Sequence, residues 1–475
     1  MRVSRATMNS LAADVARPGY DVASQAVGIV HFGIGAFHRA HQAVYTDDAM
    51  AAGDRDWRIL GVSLRSADVA DQLNPQDGLF TLVERSSDRV AARLIGSVAG
   101  VIVAPEHPEA VIDALAAPTT HIVSFTVTEK GYVRRPDGTL DWDNAAVHAD
   151  STGSGPPQTI YGFIAAGLAR RKAAGLAGLT LLSCDNLADN GARLNRLMTD
   201  YLTATDPDLA GWFAQHCRCP GTMVDRIVPA MTDEDRGWIA SLSGLEDAGA
   251  VITEPFCQWV IEDDFAGPRP RWEAVGAQIV SDVEPYEAAK LRMLNGAHSA
   301  LAYLGLDRGH DYVHQAIADP ALRGIIESLM RDEAAQTLHA DSGIDLAAYA
   351  DALIARFANA SLQHRLAQIA MDGSQKVPQR WLEPLAINQA AGRDCPATLQ
   401  ALAAWIGHIS GTRRPVDDPM AVQLAELWTT HGPDGIVAAL FGQDGLYSGS
   451  WTATPEAAVA LQAHLAVSGQ ATAAV

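Results

Sequence analysis

The sequence is poor in cysteine, and its cysteines show neither metal-ligand nor redox spacing. The five residues are odd in number and contain no C-x-x-C pair: Cys184, Cys217, Cys219, Cys257 and Cys395. A disulfide framework is therefore not expected. Reduced thiols in a cytoplasmic protein are the better interpretation.

Long apolar runs and positive charge are also scarce. No uninterrupted apolar stretch approaches the roughly 18 residues of a membrane span. The first ten residues lack the apolar segment of a signal peptide. Lys and Arg number 35 against 56 Asp and Glu, which gives a net charge of −21. This charge disfavours nucleic acid and anionic membranes as partners, but the local field of a site can still favour an anionic small substrate.

What is present is the composition of an ordinary globular protein. Apolar residues make up 48% and charged residues 19% of the 475 residues, as in folded chains. This length predicts two or three domains. Residues 1–25 are expected to be a polar lead-in, and Ala- and Leu-rich helical patterns replace strands near residue 284. We therefore predict an α/β domain over residues 26–284 and an all-α domain over residues 285–475.

A glycine turn follows the first apolar segment. The stretch from Ala26 predicts a strand that passes through Gly33 and Gly35 into a helix. These are the first two glycines of a dinucleotide-binding fingerprint, which allow a tight turn and close approach of a pyrophosphate to a helix N-terminus. His38 stands at the position of the third glycine. Taken alone, the pattern is equally consistent with a plain strand–turn–helix.

The second predicted strand, residues 57–64, ends without the acidic residue that usually holds the ribose of NAD. Arg65 follows it, and the nearest acid is Asp68. Arg65 could accept the 2′-phosphate of NADP, stack over adenine or remain solvated. We expect NAD and do not exclude NADP.

Further apolar segments predict the rest of the sheet. Short alternating runs within residues 76–104 predict strands inserted in the sheet or extending it. Residues 121–131 and 179–187 each predict a buried strand with a polar end, and the second delivers Asp185 and Asn186. Because a parallel sheet meets its ligand at the carboxyl ends of its strands, both ends are expected at the site.

Polar side chains recur along one predicted helix, residues 284–304. On an α-helical wheel, Glu287, Lys290, Asn295 and His298 fall within about 140° of one another, beside apolar residues. Such a row suits an elongated substrate with many hydroxyl groups. The alternative is a core helix whose polar groups are satisfied by nearby backbone.

The spacing Lys-x-x-x-x-Asn-x-x-His resembles the signature of the mannitol dehydrogenase family, the polyol-specific long-chain dehydrogenases. The run Lys-Leu-Arg-Met-Leu-Asn-Gly-Ala-His-Ser is most similar to its fructuronate reductase (D-mannonate oxidoreductase) branch, and Gly-Ile-Gly-Ala-Phe-His-Arg-Ala-His resembles the family's N-terminal string. The resemblance implies a Rossmann-type domain followed by a helical domain, an active site between them, and NAD as cofactor.

The resemblance also implies catalytic roles. Lys290 would be the acid/base, with a pKa lowered by its apolar surroundings, and Glu287 could relay the proton to water. Asn186 and Asn295 would donate hydrogen bonds to the reacting oxygen, and His298 would bind the same oxygen or a neighbouring hydroxyl.

Binding residues follow in the same way. Those matching cofactor positions are Gly33, Ile34, Gly35, Ala36, Phe37, Arg39 and Arg65. Those matching or neighbouring substrate positions are Asp225, Lys376, Arg365 and Arg380. Gln368 stands where mannitol-specific members carry arginine, while His364, Arg365 and Arg380 lie nearby. This favours fructuronate and mannonate as substrates, because a carboxylate requires a cation.

Other readings stay open. Mannitol 2-dehydrogenase or an arabinitol dehydrogenase is the alternative enzyme, and a non-catalytic NAD(H)-binding regulator is the alternative class. His310 and His314 have the i, i+4 spacing of a metal pair but lack a third ligand, so no metal is expected. We expect a monomer whose partner is a small sugar acid or polyol.

Overall fold

The computed structural model describes residues 1–338 and 343–470. The chain divides into two compact units, Met1–Val283 (unit 1) and Glu284–Val475 (unit 2). Over the described residues, no helix combines the length and apolar character needed to cross a membrane.

Within the described residues, all strands lie in unit 1. They are β1 (Val15–Ala16), β2 (Val27–Phe32), β3 (Arg58–Ser63), β4 (Phe80–Arg85), β5 (Val90–Ile95), β6 (Val98–Val103), β7 (Ile122–Phe125), β8 (Thr180–Ser183), β9 (Thr222–Asp225), β10 (Val251–Thr253), β11 (Gln258–Glu262) and β12 (Gln278–Val280).

The α-helices of unit 1 alternate with these strands. They are α1 (Ala36–Ala40), α2 (Gln42–Ala51), α3 (Asp68–Leu73), α4 (Pro108–Ala116), α5 (Thr128–Gly131), α6 (Ala145–Thr152), α7 (Ile160–Ala173), α8 (Asn190–Thr205), α9 (Pro207–His216) and α10 (Asp233–Ser243).

Unit 2 is helical over its described residues. Its α-helices are α11 (Glu284–Ala289), α12 (Gly296–Asp307), α13 (Val313–Ala318), α14 (Pro320–Ser328), α15 (Leu346–Phe357), α16 (Leu366–Ile369), α17 (Gly373–Val377), α18 (Glu383–Ala390), α19 (Pro396–Ile409), α20 (Ala421–Phe441) and α21 (Pro455–Gln470). Three π-helical turns interrupt them, at Lys290–Asn295, Leu329–Ala334 and Pro378–Leu382.

The main sheet of unit 1 has the Rossmann strand order. Its five parallel strands run β6-β3-β2-β7-β8, which is the order 3-2-1-4-5 of a doubly wound fold. The predicted fold class, a Rossmann-type domain followed by helices, is confirmed.

Both faces of this sheet are covered, which explains why its strands are nearly continuous apolar runs. Val30, Phe32 and Phe125 point to a core shared with α4, α7 and α8. The alternate residues Ile29 and Ile122 point to a second core shared with α2 and α3. Because side chains alternate along a strand, each strand contributes to both cores.

Two smaller sheets complete unit 1, and they differ from expectation. The alternating runs of residues 76–104 do not all join the main sheet. Only β6 does, whereas β4 and β5 form an antiparallel pair within a separate sheet of order β1-β5-β4-β10. The remaining sheet has the order β12-β11-β9.

Residues 1–25, which were expected to be a polar lead-in, are part of the packed structure. Val15 pairs with Ala92 of β5, and Val3, Leu11 and Val15 are buried in one apolar cluster. Widely spaced apolar residues carry this packing, so composition alone did not reveal it.

Unit 2 is built around α12. Ten of its twelve residues are buried, and seven of these join one large core with residues of α13, α14, α16 and α19. A helix that is apolar on all sides is stable only when it is surrounded by other elements. The predicted polar row therefore begins just before the most buried helix of the unit.

Candidate active site

A cavity of about 540 Å³ opens at the carboxyl ends of β2, β7 and β8. Its lining residues are Gly33, Gly35, Ala36, Phe37, Thr126, Thr128, Glu129, Cys184, Asp185, Asn186 and Leu187. It brings together the predicted glycine turn and the predicted Asn186, which is exposed. This is the sheet edge at which doubly wound folds bind their ligands.

Gly33 is required by the geometry of the turn. Its φ is +89°, and a Cβ at this position would lie 2.3 Å from the carbonyl oxygen of Thr126. The Thr126 hydroxyl donates to the Gly33 carbonyl over 2.6 Å, which draws the two strand ends together. Gly35 precedes α1, and a Cβ there would meet only the Gly33 carbonyl, at 3.9 Å. A loop this free of side chains fits the pyrophosphate of a dinucleotide.

His38 takes over the place of the missing third glycine. It is fully buried, and its ring stacks on that of His31 with 3.6 Å between centroids. His31 hydrogen-bonds with Ser124 Oγ (2.7 Å) and with Thr126 Oγ1 (2.9 Å). Burial lowers the pKa of His31 to about 3, and that of His38 well below its ordinary value. Two flat, neutral rings thus provide the close strand–helix packing that a glycine usually permits.

The other residues predicted at the cofactor take different positions. Ile34 is buried, with its side chain over Gly61. Arg39 does not line the cavity: it is 6% exposed, and its Nη1 donates to the Ile34 carbonyl over 3.2 Å. Burial lowers the pKa of Arg39 to about 10. The sequence pattern could not show that the Arg39 side chain is buried and bonds to the backbone of the glycine loop. Arg65 is exposed, two residues after the end of β3.

In unit 2, Lys290 begins a π-helical turn, where the sequence pattern predicts an ordinary α-helix. The N–H of Gly296 donates to the carbonyl of Leu291, five residues earlier. A continuous α-helix would place Lys290 and Asn295 about 140° apart. With i→i+5 bonds, residues five apart lie closer to one face than they do in an α-helix, so the turn brings Lys290 and Asn295 nearer to alignment. Lys290 is 8% exposed, and Glu287, one turn earlier, is half-buried.

His298 continues this row and lies among aromatic rings and cations. Its ring stacks on Phe357 (5.4 Å) and meets the edge of His364 (4.8 Å). Desolvation lowers the pKa of His298 well below its ordinary value, and the charges of His364, Arg356, Arg380 and Lys376 lower it further. The neutral imidazole is therefore the form present at physiological pH. It can donate a hydrogen bond from one nitrogen and accept one at the other.

Arg380 and its neighbour Trp381 lie in the π-helical turn Pro378–Leu382. Both donate hydrogen bonds to the end of the turn Lys290–Asn295 and the start of α12. Arg380 Nη1 donates to the Asn295 carbonyl (3.3 Å) and to Ser299 Oγ (2.7 Å), and Trp381 Nε1 donates to the Gly296 carbonyl (3.1 Å). Within the described part of the chain, Arg380 forms no ion pair. Burial lowers its pKa to about 10.

Lys376 and Arg365, both predicted near the substrate, differ in setting. Lys376 is half-buried, and its ammonium donates to the carbonyls of Ile369 and Met371. Its pKa is lowered by burial and by Arg380, against the raising effect of two aspartates. Arg365 is exposed and lies over the ring of Tyr312, 5.6 Å from its centroid.

Two predicted groups remain. Asp225 is the last residue of β9 in unit 1 and is 8% exposed. It does not line the unit 1 cavity. Of the two histidines with the spacing of a metal pair, His310 precedes α13 while His314 lies within it, so the two are not one turn apart on a helix. Among the described residues, no cluster of three or more His, Cys, Asp or Glu side chains is arranged to hold a metal ion.

Replacing Gly33 with alanine should weaken dinucleotide binding. The added Cβ overlaps the Thr126 carbonyl, and φ at +89° is unfavourable for alanine, so the turn must move. We expect the Kd for NADH to rise at least about tenfold, which corresponds to about 1.4 kcal/mol. Fluorescence titration measures it. Gly211→Ala, where a Cβ meets nothing within 4 Å, is the matched control, and an unchanged Kd in Gly33→Ala would contradict the assignment.

Nearly the whole chain is similar to proteins of one family. A model described as the mannitol dehydrogenase Rossmann domain matches residues 27–274, and one described as the mannitol dehydrogenase C-terminal domain matches residues 282–465. The chain is 40% identical over 448 residues to D-mannonate oxidoreductase of Escherichia coli (strain K12), covering 91% of each chain.

Two solved structures are similar as well. One is Pseudomonas fluorescens mannitol 2-dehydrogenase in a ternary complex with NAD and D-mannitol. It is 35% identical, with a TM-score of 0.79 and coverage of 98% of this chain and 96% of that chain. The other is a D-sorbitol dehydrogenase in substrate-free form, 33% identical, with a TM-score of 0.90 and coverage of 98% of both chains.

Proposed function

Because the chain belongs to the mannitol dehydrogenase family of oxidoreductases, we propose that it interconverts a keto sugar acid and the corresponding hydroxy acid with NAD(H). D-fructuronate and D-mannonate are the proposed pair. The relative named D-mannonate oxidoreductase supports this choice, and so do the cationic side chains near His298.

The observation that carries the sugar-acid assignment is the positive field around His298. Arg356, Lys376 and Arg380 all lower the pKa of this histidine. Arg380 hydrogen-bonds only to a carbonyl and a hydroxyl among the described residues. A desolvated guanidinium is costly without a counter-charge. A substrate carboxylate would supply one through a charge-assisted, often bidentate contact. The field is opposite in sign to the net charge of −21.

The residues of the π-helical turn are proposed to handle the proton. In the direction of reduction, the Lys290 ammonium gives its proton to the carbonyl oxygen as that oxygen becomes a hydroxyl. Asn295, which the turn brings nearer to alignment with Lys290, and Asn186 donate amide N–H groups to the same oxygen. His298 binds that oxygen or a neighbouring hydroxyl, Asp225 and Lys376 bind further hydroxyls, and Glu287 passes a proton from water to Lys290.

The glycine turn of unit 1 is proposed to hold the cofactor. Gly33 and Gly35 let the pyrophosphate approach the backbone, while Arg39 and the His31–His38 stack keep the loop in place. When bound, NADH supplies the hydride that reduces the carbonyl carbon. We propose NAD rather than NADP, and Arg65 is the residue that would meet a 2′-phosphate.

A mannitol 2-dehydrogenase is the second candidate. The structural relative bound to NAD and D-mannitol favours it. A polyol carries no carboxylate, so this function would leave the Arg380 guanidinium bonded, among the described residues, only to a carbonyl and a hydroxyl.

The proposal predicts NADH consumption on addition of D-fructuronate, with D-mannonate as product. Because a lysine handles the proton, this activity should survive exhaustive treatment with a chelator such as EDTA or dipicolinate. The measurement is the loss of NADH absorbance, repeated with NADPH and with fructose. Activity that disappears on chelation and returns specifically with zinc would overturn the lysine-based chemistry.

A further inference from the structure

We propose that Asp185 is a positioning residue, whose carboxylate fastens two strand ends together and thereby sets the position of the Asn186 amide. The proposal rests on the proposed role of Asn186 at the reacting oxygen. Asp185 and its partner Thr128 both line the unit 1 cavity, together with Gly33 and Gly35.

The Asp185 carboxylate is surrounded by hydrogen-bond donors. Its Oδ1 accepts from the Thr128 N–H over 2.8 Å, and its Oδ2 accepts from the Val127 N–H over 3.1 Å. The Tyr132 hydroxyl donates to the same Oδ2 over 2.9 Å and hydrogen-bonds with Ser183 Oγ. The residue is 8% exposed. One side chain at the end of β8 thus holds the segment that leaves β7.

The backbone of Asp185 is held independently. Asn190 Nδ2 donates to the Asp185 carbonyl over 3.1 Å and to the Thr222 carbonyl over 2.8 Å. The Thr222 N–H in turn donates to Asn190 Oδ1 over 3.0 Å. The peptide preceding Asn186 is therefore fixed on both sides. Asn186 itself is exposed at the cavity.

The segment that Asp185 holds has an unfavourable backbone. Thr128 has φ +64° and Val133 has φ +45°, and left-handed conformations are uncommon for β-branched residues. Such conformations persist only where the surroundings enforce them, and they concentrate at functional sites. Here the bonds from Asp185 to the N–H groups of residues 127 and 128 provide the enforcement, and Thr128 and Glu129 line the cavity.

A carboxylate is required at this position, because every group that faces it is a donor. An asparagine of the same shape keeps one oxygen but turns an NH₂ group toward a donor, so at least one bond is lost. The loss should release residues 127–128 and leave the bond from Asn190 to the Asp185 carbonyl as the remaining restraint before Asn186, so the amide can shift. Displacement of a positioned group by about 1 Å costs on the order of 100-fold in rate.

Asp185→Asn tests the proposal in the full-length enzyme with NADH and D-fructuronate. We expect kcat per NADH-binding site to fall roughly 10- to 100-fold, while the Kd for NADH changes little. Because the chemical step becomes slower, the primary isotope effect on kcat with 4-deuterated NADH should rise. A residue needed only for stability would reduce the number of binding sites and leave both quantities unchanged.

Asp150→Asn is the matched control. The Asp150 carboxylate also accepts from two backbone N–H groups and one hydroxyl, those of Gln158 and Thr159, but it does not line the cavity. This variant should keep the wild-type kcat per site. Tyr132→Phe, which removes one donor, should show a smaller fall in kcat and the same rise in the isotope effect. It remains informative if Asp185→Asn does not fold.

The proposal is overturned if kcat per site and the isotope effect stay at wild-type values in both Asp185→Asn and Tyr132→Phe. It is also overturned if kcat per site falls as far in Asp150→Asn as in Asp185→Asn. Its failure can be separated from failure of the proposed substrate. If the wild type uses fructose rather than fructuronate, the same variants are compared with fructose, and Asn186→Ala reports separately on the amide.

Discussion

Lys290→Ala should lower turnover by roughly two to four orders of magnitude, the usual contribution of a positioned acid/base. Lys290 is almost fully buried and begins the π-helical turn that brings it nearer to alignment with Asn295. The chain otherwise uses arginine almost throughout, and its lysines are Lys130, Lys172, Lys290 and Lys376. An ammonium, unlike a guanidinium, can release its proton at working pH when it is desolvated. Single-turnover oxidation of bound NADH measures the effect.

Lys172→Ala is the matched control for this variant, because Lys172 forms a surface ion pair with Asp208. It should retain wild-type turnover. The Kd for NADH should be nearly unchanged in Lys290→Ala, since the glycine turn belongs to unit 1. Added primary amines should restore part of the activity. Turnover near the wild-type level in Lys290→Ala would remove this residue from the mechanism.

Arg380→Gln should selectively weaken the use of sugar acids. If the Arg380 guanidinium binds the carboxylate, its loss should lower kcat/KM for fructuronate by roughly 30- to 1,000-fold. The fall in kcat/KM for fructose should be smaller, about tenfold at most. For this substrate only the hydrogen bonds from Arg380 to two neutral acceptors, the Asn295 carbonyl and Ser299 Oγ, are lost. Initial rates with both substrates at one salt concentration and pH give the ratio.

Two further variants complete this test. Arg380→Lys keeps the charge and should retain more fructuronate activity than Arg380→Gln, though less than the wild type, because the planar fork is lost. Arg323→Gln removes an exposed arginine that pairs with Glu327 and should leave both substrates unaffected. Equal losses for fructuronate and fructose in Arg380→Gln would mean that Arg380 only braces the π-helical turn.

Much of unit 1 was predictable, because strand ends and glycine turns have strong local signals. Gly33, Gly35 and Asn186 belong to segments that were predicted separately, and the structure places all three on one cavity. Periodicity and turn chemistry are enough for this, since the carboxyl ends of parallel strands must share an edge.

The details that were missed depend on contacts distant in sequence. The Arg39 side chain is buried and donates to the Ile34 carbonyl. The periodicity of the sequence does not indicate this contact. His31 and His38 replace a glycine by stacking, which requires knowledge of both ring positions. The π-helical turn at Lys290–Asn295 has the composition of an α-helix, so a helical wheel placed Lys290 and Asn295 too far apart. Asp185 was noted at a strand end, but its three donors come from residues 127–132.

The most direct test of the sugar-acid assignment is the ratio of kcat/KM for D-fructuronate to that for fructose, measured on the wild-type enzyme with NADH at one salt concentration and pH. A carboxylate that pairs with the Arg380 guanidinium should raise this ratio to at least about 30, since leaving that group without a counter-charge costs about 2 kcal/mol or more. A ratio of one or below would contradict the assignment, and mannitol 2-dehydrogenase would replace it as the function of this chain.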